Sequence, residues 1–235
     1  REAGTITIVF QTVGASTEKM AELKAGDSFR DFTGPLGCAS EFVHEDIESL
    51  KGKKMLFVAG GVGAAPVYPQ VKWLHEHGIE ADVIVGSKTK DMLILEDEMK
   101  AVAGNYYPCT DDGSYGHAGM VTTKIEQLVK EEGKKYDVCV AIGPMIMMKF
   151  VCKLTKEYGV KTIVSMNPIM IDGTGMCGGC RLTVGGQTKF ACVDGPDFDG
   201  HQVDFDEMMS RNGTYKEYER HAYEKACNLL NKEVQ

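Results

Sequence analysis

Residues 55–66 read MLFVAGGVGAAP, and this stretch decides the fold. Five apolar residues lead without interruption into a turn that contains three glycines, and a helical pattern follows. An uninterrupted apolar run is typical of a strand that is buried on both faces of a parallel sheet. The stretch therefore predicts a strand, a tight turn and a helix, the first unit of an α/β domain.

The same alternation continues for about a hundred residues, as in a βαβ series. Apolar runs predict strands at residues 55–59, 81–86, 105–109, 138–142 and 162–165. Helical spacing predicts helices at about residues 65–77, 95–103, 121–132 and 145–158. Each connection is long enough for a right-handed crossover. We therefore expect a five-stranded parallel, Rossmann-like domain.

The glycine-rich turn after the first strand is a candidate nucleotide loop. It is formed by Gly60, Gly61, Gly63, Ala64, Ala65 and Pro66. Glycine lets a pyrophosphate approach the backbone N–H groups at the positive end of the following helix. The run lacks the G-x-G-x-x-G fingerprint, so a tight turn without a ligand remains the alternative.

Two further loops follow predicted strands, at the edge of the sheet where α/β folds bind ligands. They contain Asp111, Asp112 and Gly113 after the third strand and Gly143, Pro144 and Met145 after the fourth. The two aspartates are equally compatible with a solvated turn. Their placement beside the glycine-rich turn favours cofactor binding.

The ends of the chain show other patterns. Residues 4–10 alternate polar and apolar side chains, and residues 29–32 are expected to form another short strand. These predict strands of a partial antiparallel β-barrel, because two or three strands are too few to close one. Near the other end, helices are expected at residues 206–211 and 215–230.

Residues 171–195 read IDGTGMCGGCRLTVGGQTKFACVDG and predict a metal cluster. The spacing is D-x4-C-x2-C-x11-C, which matches the plant-type ferredoxin pattern with a carboxylate in place of the first thiolate. Its candidate ligands are Asp172, Cys177, Cys180 and Cys192. A two-iron, two-sulfur cluster is the favoured interpretation, and a structural zinc site is the alternative.

The other five cysteines are expected to be structural. Cys139 lies in an apolar strand and Cys152 in a helical pattern, where cysteine packs as a small hydrophobic residue. The remaining three, Cys38, Cys109 and Cys227, are assigned to core or incidental packing. Three thiols in a metal-type spacing favour a reduced, intracellular protein over a disulfide framework.

Composition argues against several classes of partner. The 235 residues carry a formal net charge of −8 without a dense basic block, which argues against nucleic acid and anionic membranes. No apolar run reaches the length of a membrane span, about 18 residues, and no leader peptide is visible. A cytoplasmic protein is expected.

Five motifs together resemble the ferredoxin-reductase-like flavoprotein family. They are TGPLG at 33–37, GGVGAAP at 60–66, TDDGSYGHAG at 110–119, AIGPM at 141–145 and MCGGC at 176–180. Within that family the chain resembles electron-transfer subunits of dihydroorotate dehydrogenase. It is more similar to the small subunits of NADH-dependent reduced ferredoxin:NADP oxidoreductase, because the dihydroorotate branch typically has cysteine where this chain has Asp172.

The resemblance implies three parts. Residues 1–48 would form a partial FAD-binding barrel, residues 49–165 an NAD-binding domain, and residues 166–235 a [2Fe-2S]-binding segment with C-terminal helices. It further implies that Gly34, Pro35, Leu36 and Gly37 lie near the FAD phosphates. The loops named above would surround NAD(H).

One departure concerns the barrel. Family members carry an Arg-x-[Tyr/Phe]-[Ser/Thr] flavin motif on an upstream strand, and nothing in this sequence matches it. We therefore expect the flavin domain to be truncated at its N-terminal side.

The resemblance implies an electron-transfer subunit that links NAD(H), FAD and the cluster to a larger flavin- and iron–sulfur-containing partner subunit, and through that complex to ferredoxin. Two alternatives are a dihydroorotate dehydrogenase electron-transfer subunit and a nucleotide-binding module with structural zinc.

Overall fold

The computed structural model describes the backbone of residues 4–233 and the side chains of residues 4–225. The chain divides into two units. The first is Leu36–Met208, and the second comprises the described residues of Arg1–Pro35 and Met209–Gln235. Every strand of the described chain belongs to the first unit.

A seven-stranded sheet forms the centre of the first unit. Its strands are β1 (Met55–Gly60), β2 (Ala81–Ser87), β3 (Asn105–Thr110), β4 (His117–Ala118), β5 (Val138–Ile142), β6 (Lys161–Ser165) and β9 (Asp197–Asp199). A separate antiparallel hairpin is made by β7 (Arg181–Val184) and β8 (Gln187–Phe190). The order across the sheet is β4-β3-β2-β1-β5-β6-β9. All neighbours are parallel except β6 and β9.

The five predicted strands are confirmed to within one residue at either end, but the predicted strand count is wrong. The structure adds the two-residue β4 and the antiparallel β9. Neither has a hydrophobic pattern of its own, since β4 reads HA and β9 reads DFD. Both form through pairing with a neighbouring strand, which a local pattern does not reveal.

Four of the eight helices in the described chain lie in connections between strands, two precede β1 and two follow β9. They are α1 (Ala15–Ala21), α2 (Ile47–Lys51), α3 (Ala64–Glu76), α4 (Glu96–Val102), α5 (Val121–Glu126), α6 (Met145–Glu157), α7 (Phe205–Asn212) and α8 (Lys216–Glu233). Short 3-10 turns occur at Glu41–His44, Gly61–Gly63 and Lys90–Met92, and α5 continues as a π-helical turn at Gln127–Glu131. The predicted crossover and C-terminal helices are confirmed. No helix in the described chain has the length and apolarity of a membrane span.

The core lies where α3 covers the centre of the sheet. All six positions of β1 are buried, because helices cover both faces of a parallel sheet. Val67, Val71 and Leu74 are fully buried, and their spacing places them on one face of α3. Burying each such side chain contributes roughly 1.5–3 kcal/mol. This packing fixes the start of α3 at the end of β1.

Asp82 stabilises the sheet at the amino-terminal ends of its strands. Its carboxylate accepts hydrogen bonds from Lys134 Nζ at 2.8 Å, Asn105 Nδ2 at 2.7 Å and Tyr136 Oη at 2.7 Å. Burial alone raises its pKa, but these three donors hold the pKa of Asp82 below its usual range. The charged form is therefore the one that the fold stabilises.

The strands predicted at residues 4–10 and 29–32 are wrong. The described residues before β1 contain no strand, and Ile6, Ile8 and Val9 are exposed. A strand needs a neighbour to pair its backbone groups, and these segments have none in the second unit. The partial antiparallel barrel is therefore not formed by the described part of residues 1–48.

The isolated cysteines divide into two groups. Cys109, Cys139 and Cys152 are buried as expected, and burial raises the pKa of Cys109 and of Cys152 to about 12. Cys38 is exposed instead. Cys227 lies outside the described side chains.

The domain boundaries proposed from the sequence stay predictions.

Candidate functional site

The carboxyl edge of the sheet is built on close contacts between glycine backbones. A Cβ atom on Gly63 would lie 2.2 Å from the carbonyl oxygen of Ile142, and one on Gly143 would lie 2.9 Å from the Gly60 backbone. A Cβ on Gly60 would meet Pro144 Cδ at 2.7 Å. The ends of β1 and β5 therefore approach each other so closely that only glycine fits at these positions.

The first turn of α3 follows this contact directly. Gly61 has a φ of +54° and turns the chain into the helix, for which Gly63 is the N-cap. Ala64 is buried, Ala65 is half-buried and Pro66 is exposed. A helix start of this kind presents unpaired backbone N–H groups and favours negative charge. The edge therefore suits the pyrophosphate of a dinucleotide.

The turn after β3 lies at the same edge. The Asp111 N–H donates to the Ser87 carbonyl oxygen at 3.0 Å, which ties the turn to the end of β2. Asp112 Oδ1 accepts a hydrogen bond from the Ser114 N–H at 3.0 Å. Ser114 holds the pKa of Asp112 below its usual range. Asp112 is therefore a turn-forming residue, whereas the exposed Asp111 carboxylate has no described partner.

The loop after β5 offers mostly backbone to a ligand. Pro144 is exposed and is the N-cap of α6, whereas the Met145 side chain is buried beneath it. A nucleotide at this edge would meet the backbone of Met145. The structure thus brings Gly60, Gly63 and Gly143 together in one contact. Asp111–Gly113 follow β3, which is separated from β1 by β2.

The four predicted flavin residues are all exposed. Gly34 and Pro35 belong to the second unit, and Leu36 and Gly37 belong to the first. Within the described chain, the N–H groups of Leu36 and Gly37 donate no hydrogen bond. They are free to bind phosphate oxygens.

The cluster loop brings its four candidate ligands together as two pairs. Cys180 and Cys192 are buried, and their sulfur atoms are 3.2 Å apart. Asp172 Oδ2 accepts a hydrogen bond from the Cys177 N–H at 2.8 Å. Among the described residues, no three His, Cys, Asp or Glu side chains form a group that would hold one metal ion. Two pairs suit a cluster of two irons with two protein ligands each.

Two sulfur atoms in the loop accept a backbone N–H. Gly179 N lies 3.3 Å from Cys177 Sγ, and Cys192 N lies 3.4 Å from Cys180 Sγ. Contact with Cys180 raises the pKa of the Cys192 thiol, and the Gly175 N–H opposes this by donating to the same sulfur. Hydrogen bonds to sulfur stabilise thiolates and tune iron–sulfur clusters. The donor set therefore fits a cluster ligated by thiolates.

Asp172 is held ready as an oxygen ligand. The Thr174 N–H donates to its Oδ1 at 2.7 Å. This bond, followed by the contact with Cys177, holds the pKa of the Asp172 carboxyl below its usual range. The side chain is exposed, and the lowered pKa favours the deprotonated form that a metal ligand needs.

Sequence reasoning missed a set of contacts between residues 36–40 and residues 193–197. Cys38 Sγ donates to the Val193 carbonyl oxygen at 3.2 Å, and Ser40 Oγ donates to Asp197 Oδ2 at 2.7 Å. These partners are more than 150 residues apart along the chain, so no local pattern would have revealed them.

Two family models match the chain. Residues 57–153 match the oxidoreductase NAD-binding domain, and residues 167–204 match the iron–sulfur cluster binding domain of dihydroorotate dehydrogenase B. The first match contains the glycine-rich edge of the sheet. The second contains all four candidate cluster ligands.

Similar proteins span nearly the whole chain. A Clostridium beijerinckii protein described as "Uncharacterized protein in adh 3'region" is 62% identical over 92% of this chain and 73% of its own length. The Thermotoga maritima "Dihydroorotate dehydrogenase B (NAD(+)), electron transfer subunit homolog" is 46% identical over 95% of this chain and 76% of its own length.

A solved structure agrees with these matches. A chain in the structure of NADH-dependent reduced ferredoxin-NADP oxidoreductase, described in connection with flavin-based electron bifurcation, superposes with a TM-score of 0.81 and 45% identity. The superposition covers 92% of this chain and 75% of that one.

Proposed function

Because this chain belongs to the family of electron-transfer subunits of the dihydroorotate dehydrogenase B type, we propose that it passes electrons between NAD(H), FAD and a [2Fe-2S] cluster to a larger flavin- and iron–sulfur-containing subunit. The reaction would be of the ferredoxin:NADP oxidoreductase type. The observation that carries the proposal is the cluster loop, in which Cys180 and Cys192 place their sulfur atoms 3.2 Å apart and the sulfur atoms of Cys177 and Cys180 each accept a backbone N–H.

NAD(H) would bind at the carboxyl edge of the sheet. The contact among Gly60, Gly63 and Gly143 keeps side chains away from the start of α3, so a pyrophosphate can approach its N–H groups. Gly61, Ala64, Ala65 and Pro66 complete this loop. Asp111, Asp112, Gly113, Pro144 and Met145 would border the nicotinamide.

FAD would bind at Gly34, Pro35, Leu36 and Gly37. The free N–H groups of Leu36 and Gly37 support this assignment, since flavin phosphates are bound by backbone donors of this kind. The exposed Leu36 side chain offers an apolar contact beside them.

The cluster would be held by Asp172 and Cys177 on one iron and by Cys180 and Cys192 on the other. Gly175 and Gly179 would direct their N–H groups at the ligating sulfurs. Together the bound groups supply hydride transfer and one-electron transfer. A carboxylate ligand and hydrogen bonds to sulfur both change a cluster's reduction potential, so Asp172 would tune it.

The first experiment is the visible absorption spectrum of anaerobically purified protein, with iron, sulfide and zinc analysis before and after addition of FAD. We expect about two irons and two sulfides per chain and an absorption that bleaches on reduction. Stoichiometric zinc without iron would contradict the proposal and support the nucleotide-binding module with structural zinc.

Ligand variants identify the residues that hold the cluster. Cys180→Ser and Cys192→Ser should lose iron, whereas Asp172→Cys should keep it and change the midpoint potential. Cys139→Ser is the matched control, because Cys139 is buried like Cys180 and Cys192 but lies in β5, outside the cluster loop. Iron loss in Cys139→Ser, or an unaltered potential in Asp172→Cys, would contradict the assigned ligand set.

A dihydroorotate dehydrogenase electron-transfer subunit is the second candidate, favoured by the match of residues 167–204. Purification of the native complex distinguishes the two. We expect a larger flavin- and iron–sulfur-containing partner that transfers electrons to or from ferredoxin. A partner that produces orotate would establish the second candidate instead.

A further inference from the structure

Residues 36–40 are fastened to residues 193–197 by three hydrogen bonds. The Cys38 N–H donates to the Gly195 carbonyl oxygen at 2.7 Å, and Cys38 Sγ donates to the Val193 carbonyl oxygen at 3.2 Å. Ser40 Oγ donates to Asp197 Oδ2 at 2.7 Å. We call residues 36–40 the clasp. It joins the predicted flavin loop to the chain just after Cys192.

Gly37 makes this close approach possible. Its φ is +75°, and a Cβ atom at this position would lie 2.6 Å from the Gly195 carbonyl oxygen. Any larger residue would therefore be strained in its own backbone and would also push the two segments apart. The contact depends on glycine for both reasons.

Residues 193–197, to which the clasp is bonded, are fixed to the sheet. Asp197 is the first residue of β9 and pairs with Ser165 in β6. The Met166 N–H donates to the Pro196 carbonyl oxygen at 2.9 Å. Residues 193–197 therefore link three parts: the NAD-binding sheet through β9, the cluster loop through Cys192, and the predicted flavin loop through the clasp.

We propose that the clasp sets the distance between the flavin and the cluster, and that Gly37 and Ser40 are positioning residues for electron transfer between them. This inference rests on the proposed function. In each transfer one electron leaves the reduced flavin and reduces one ferric ion of the cluster to ferrous, and the flavin's proton passes to solvent. Ser40 acts through the geometry of the two loops and touches neither reacting group. Gly37, whose N–H is also assigned to the flavin phosphates, acts on the cluster side through its close approach to Gly195.

The first test measures the clasp without cofactors. In Ser40→Ala, the Cys38 amide should exchange with deuterium about fivefold faster, the factor that one typical net hydrogen bond represents. Alkylation of Cys38 by iodoacetamide, followed by peptide mass spectrometry, should accelerate similarly. Ser49→Ala is the matched control, because the described chain gives the Ser49 hydroxyl no hydrogen bond. Equal rates in wild type and Ser40→Ala would overturn the clasp.

The second test uses protein loaded with FAD and cluster. NADH is mixed rapidly with the protein, and flavin reduction and cluster reduction are followed separately. Ser40→Ala should slow cluster reduction and leave flavin reduction, flavin content and iron content at wild-type values. Gly37→Ala should slow cluster reduction further. If Ser40→Ala shows accelerated amide exchange but reduces its cluster at the wild-type rate, the positioning role is refuted.

Failure of the proposed function is distinguishable from failure of this inference. Wild-type protein that takes up no flavin or no iron would contradict the proposed function before any variant is compared. In that case amide exchange at Cys38 would still decide whether the hydrogen bonds of the clasp exist. The proposed positioning role would be refuted together with cofactor binding.

Discussion

The carboxyl edge of the sheet and the cluster loop are both rich in glycine, but they use it differently. At the sheet edge, Gly63 and Gly143 are required because backbone atoms occupy the space that a Cβ atom would take. In the cluster loop, Gly173, Gly175 and Gly178 have φ values of +76°, +86° and +64°, and their nearest neighbours are side chains. The first region needs glycine for space and the second for conformation.

This difference indicates how each region is stabilised. The sheet edge is fixed by buried packing and exists without a ligand, because its glycines contact the protein's own backbone. The cluster loop is largely exposed, and its order comes from hydrogen bonds to sulfur atoms and to the Asp172 carboxylate. A bound cluster stabilises the loop by mass action, so the loop should depend on its ligand far more than the sheet edge does.

Removal of iron should give the largest effect and test this directly. We expect amide exchange across residues 172–192 to accelerate by about a hundredfold after chelation, since a ligand at a hundred times its Kd stabilises by that factor. Exchange in β1 and β5 should not change. Hydrogen exchange with mass spectrometry checks both regions in one sample, and an equal loss of protection in β1 would show that they are not independent.

Gly63→Ala should be the most destabilising single change at the sheet edge. Its Cβ would lie 2.2 Å from the Ile142 carbonyl oxygen, so strands must separate, and overpacking of this kind costs about 3 kcal/mol. Urea unfolding measures the free energy. Gly52→Ala is the control, since its Cβ has 3.5 Å to the nearest atom, and it should change stability by less than about 0.5 kcal/mol. Similar results for both variants would refute the packing argument.

Asp82→Asn should be less destabilising and should give the sheet its pH dependence. Loss of hydrogen bonds to a charged acceptor costs about 2 kcal/mol near neutral pH. Because the folded-state pKa of Asp82 is depressed, its contribution is complete above the ordinary value of 3.8 and is lost as the pH falls through the lowered pKa. The difference in the free energy of unfolding between wild type and Asp82→Asn should therefore shrink below about pH 4.

Urea unfolding at several pH values checks this, with Asp91→Asn as the control because Asp91 is exposed and has no described partner. A difference that stays constant into acid would contradict the assignment.

Gly173→Ala should have the smallest effect. A φ of +76° costs an alanine about 1 kcal/mol, and the only close atom is the exposed, movable Leu36 Cδ1. Gly186 has the same φ of +76°, and a Cβ atom there would meet nothing within 4 Å. Gly186→Ala therefore measures the cost of the backbone conformation alone. Equal losses in urea unfolding are expected. A loss at Gly173 comparable with that at Gly63 would remove the contrast between the two regions.

Sequence reasoning succeeded where the signal was local. The helix predicted at 65–77 is α3 at Ala64–Glu76, because buried residues at spacings of three and four fix both its face and its length. It failed at residues 4–10, where the alternation was equally clear. Alternation reports which faces a strand would have, but a strand forms only when a partner is present.

The candidate site divides in the same way. The spacing of Cys177, Cys180 and Cys192 predicted a cluster, since ligand spacing is a local property. The bond between Ser40 and Asp197 was invisible, because it joins residues 157 positions apart through the folding of the whole sheet. Long-range polar contacts of this kind need the tertiary structure.

The antiparallel pairing of β9 with β6 also bears on the order of assembly. β9 is made last among the strands of the sheet and lies at its outer edge, whereas β4 at the other edge has only two residues. An exposed edge strand is a template for aggregation, and β9 limits that risk on its side because it has only three residues. The chain between β6 and β9 holds all four predicted cluster ligands. Pairing of β9 with β6 brings the two ends of that segment together at the edge of the sheet, so the predicted cluster loop is closed only once the last strand has docked.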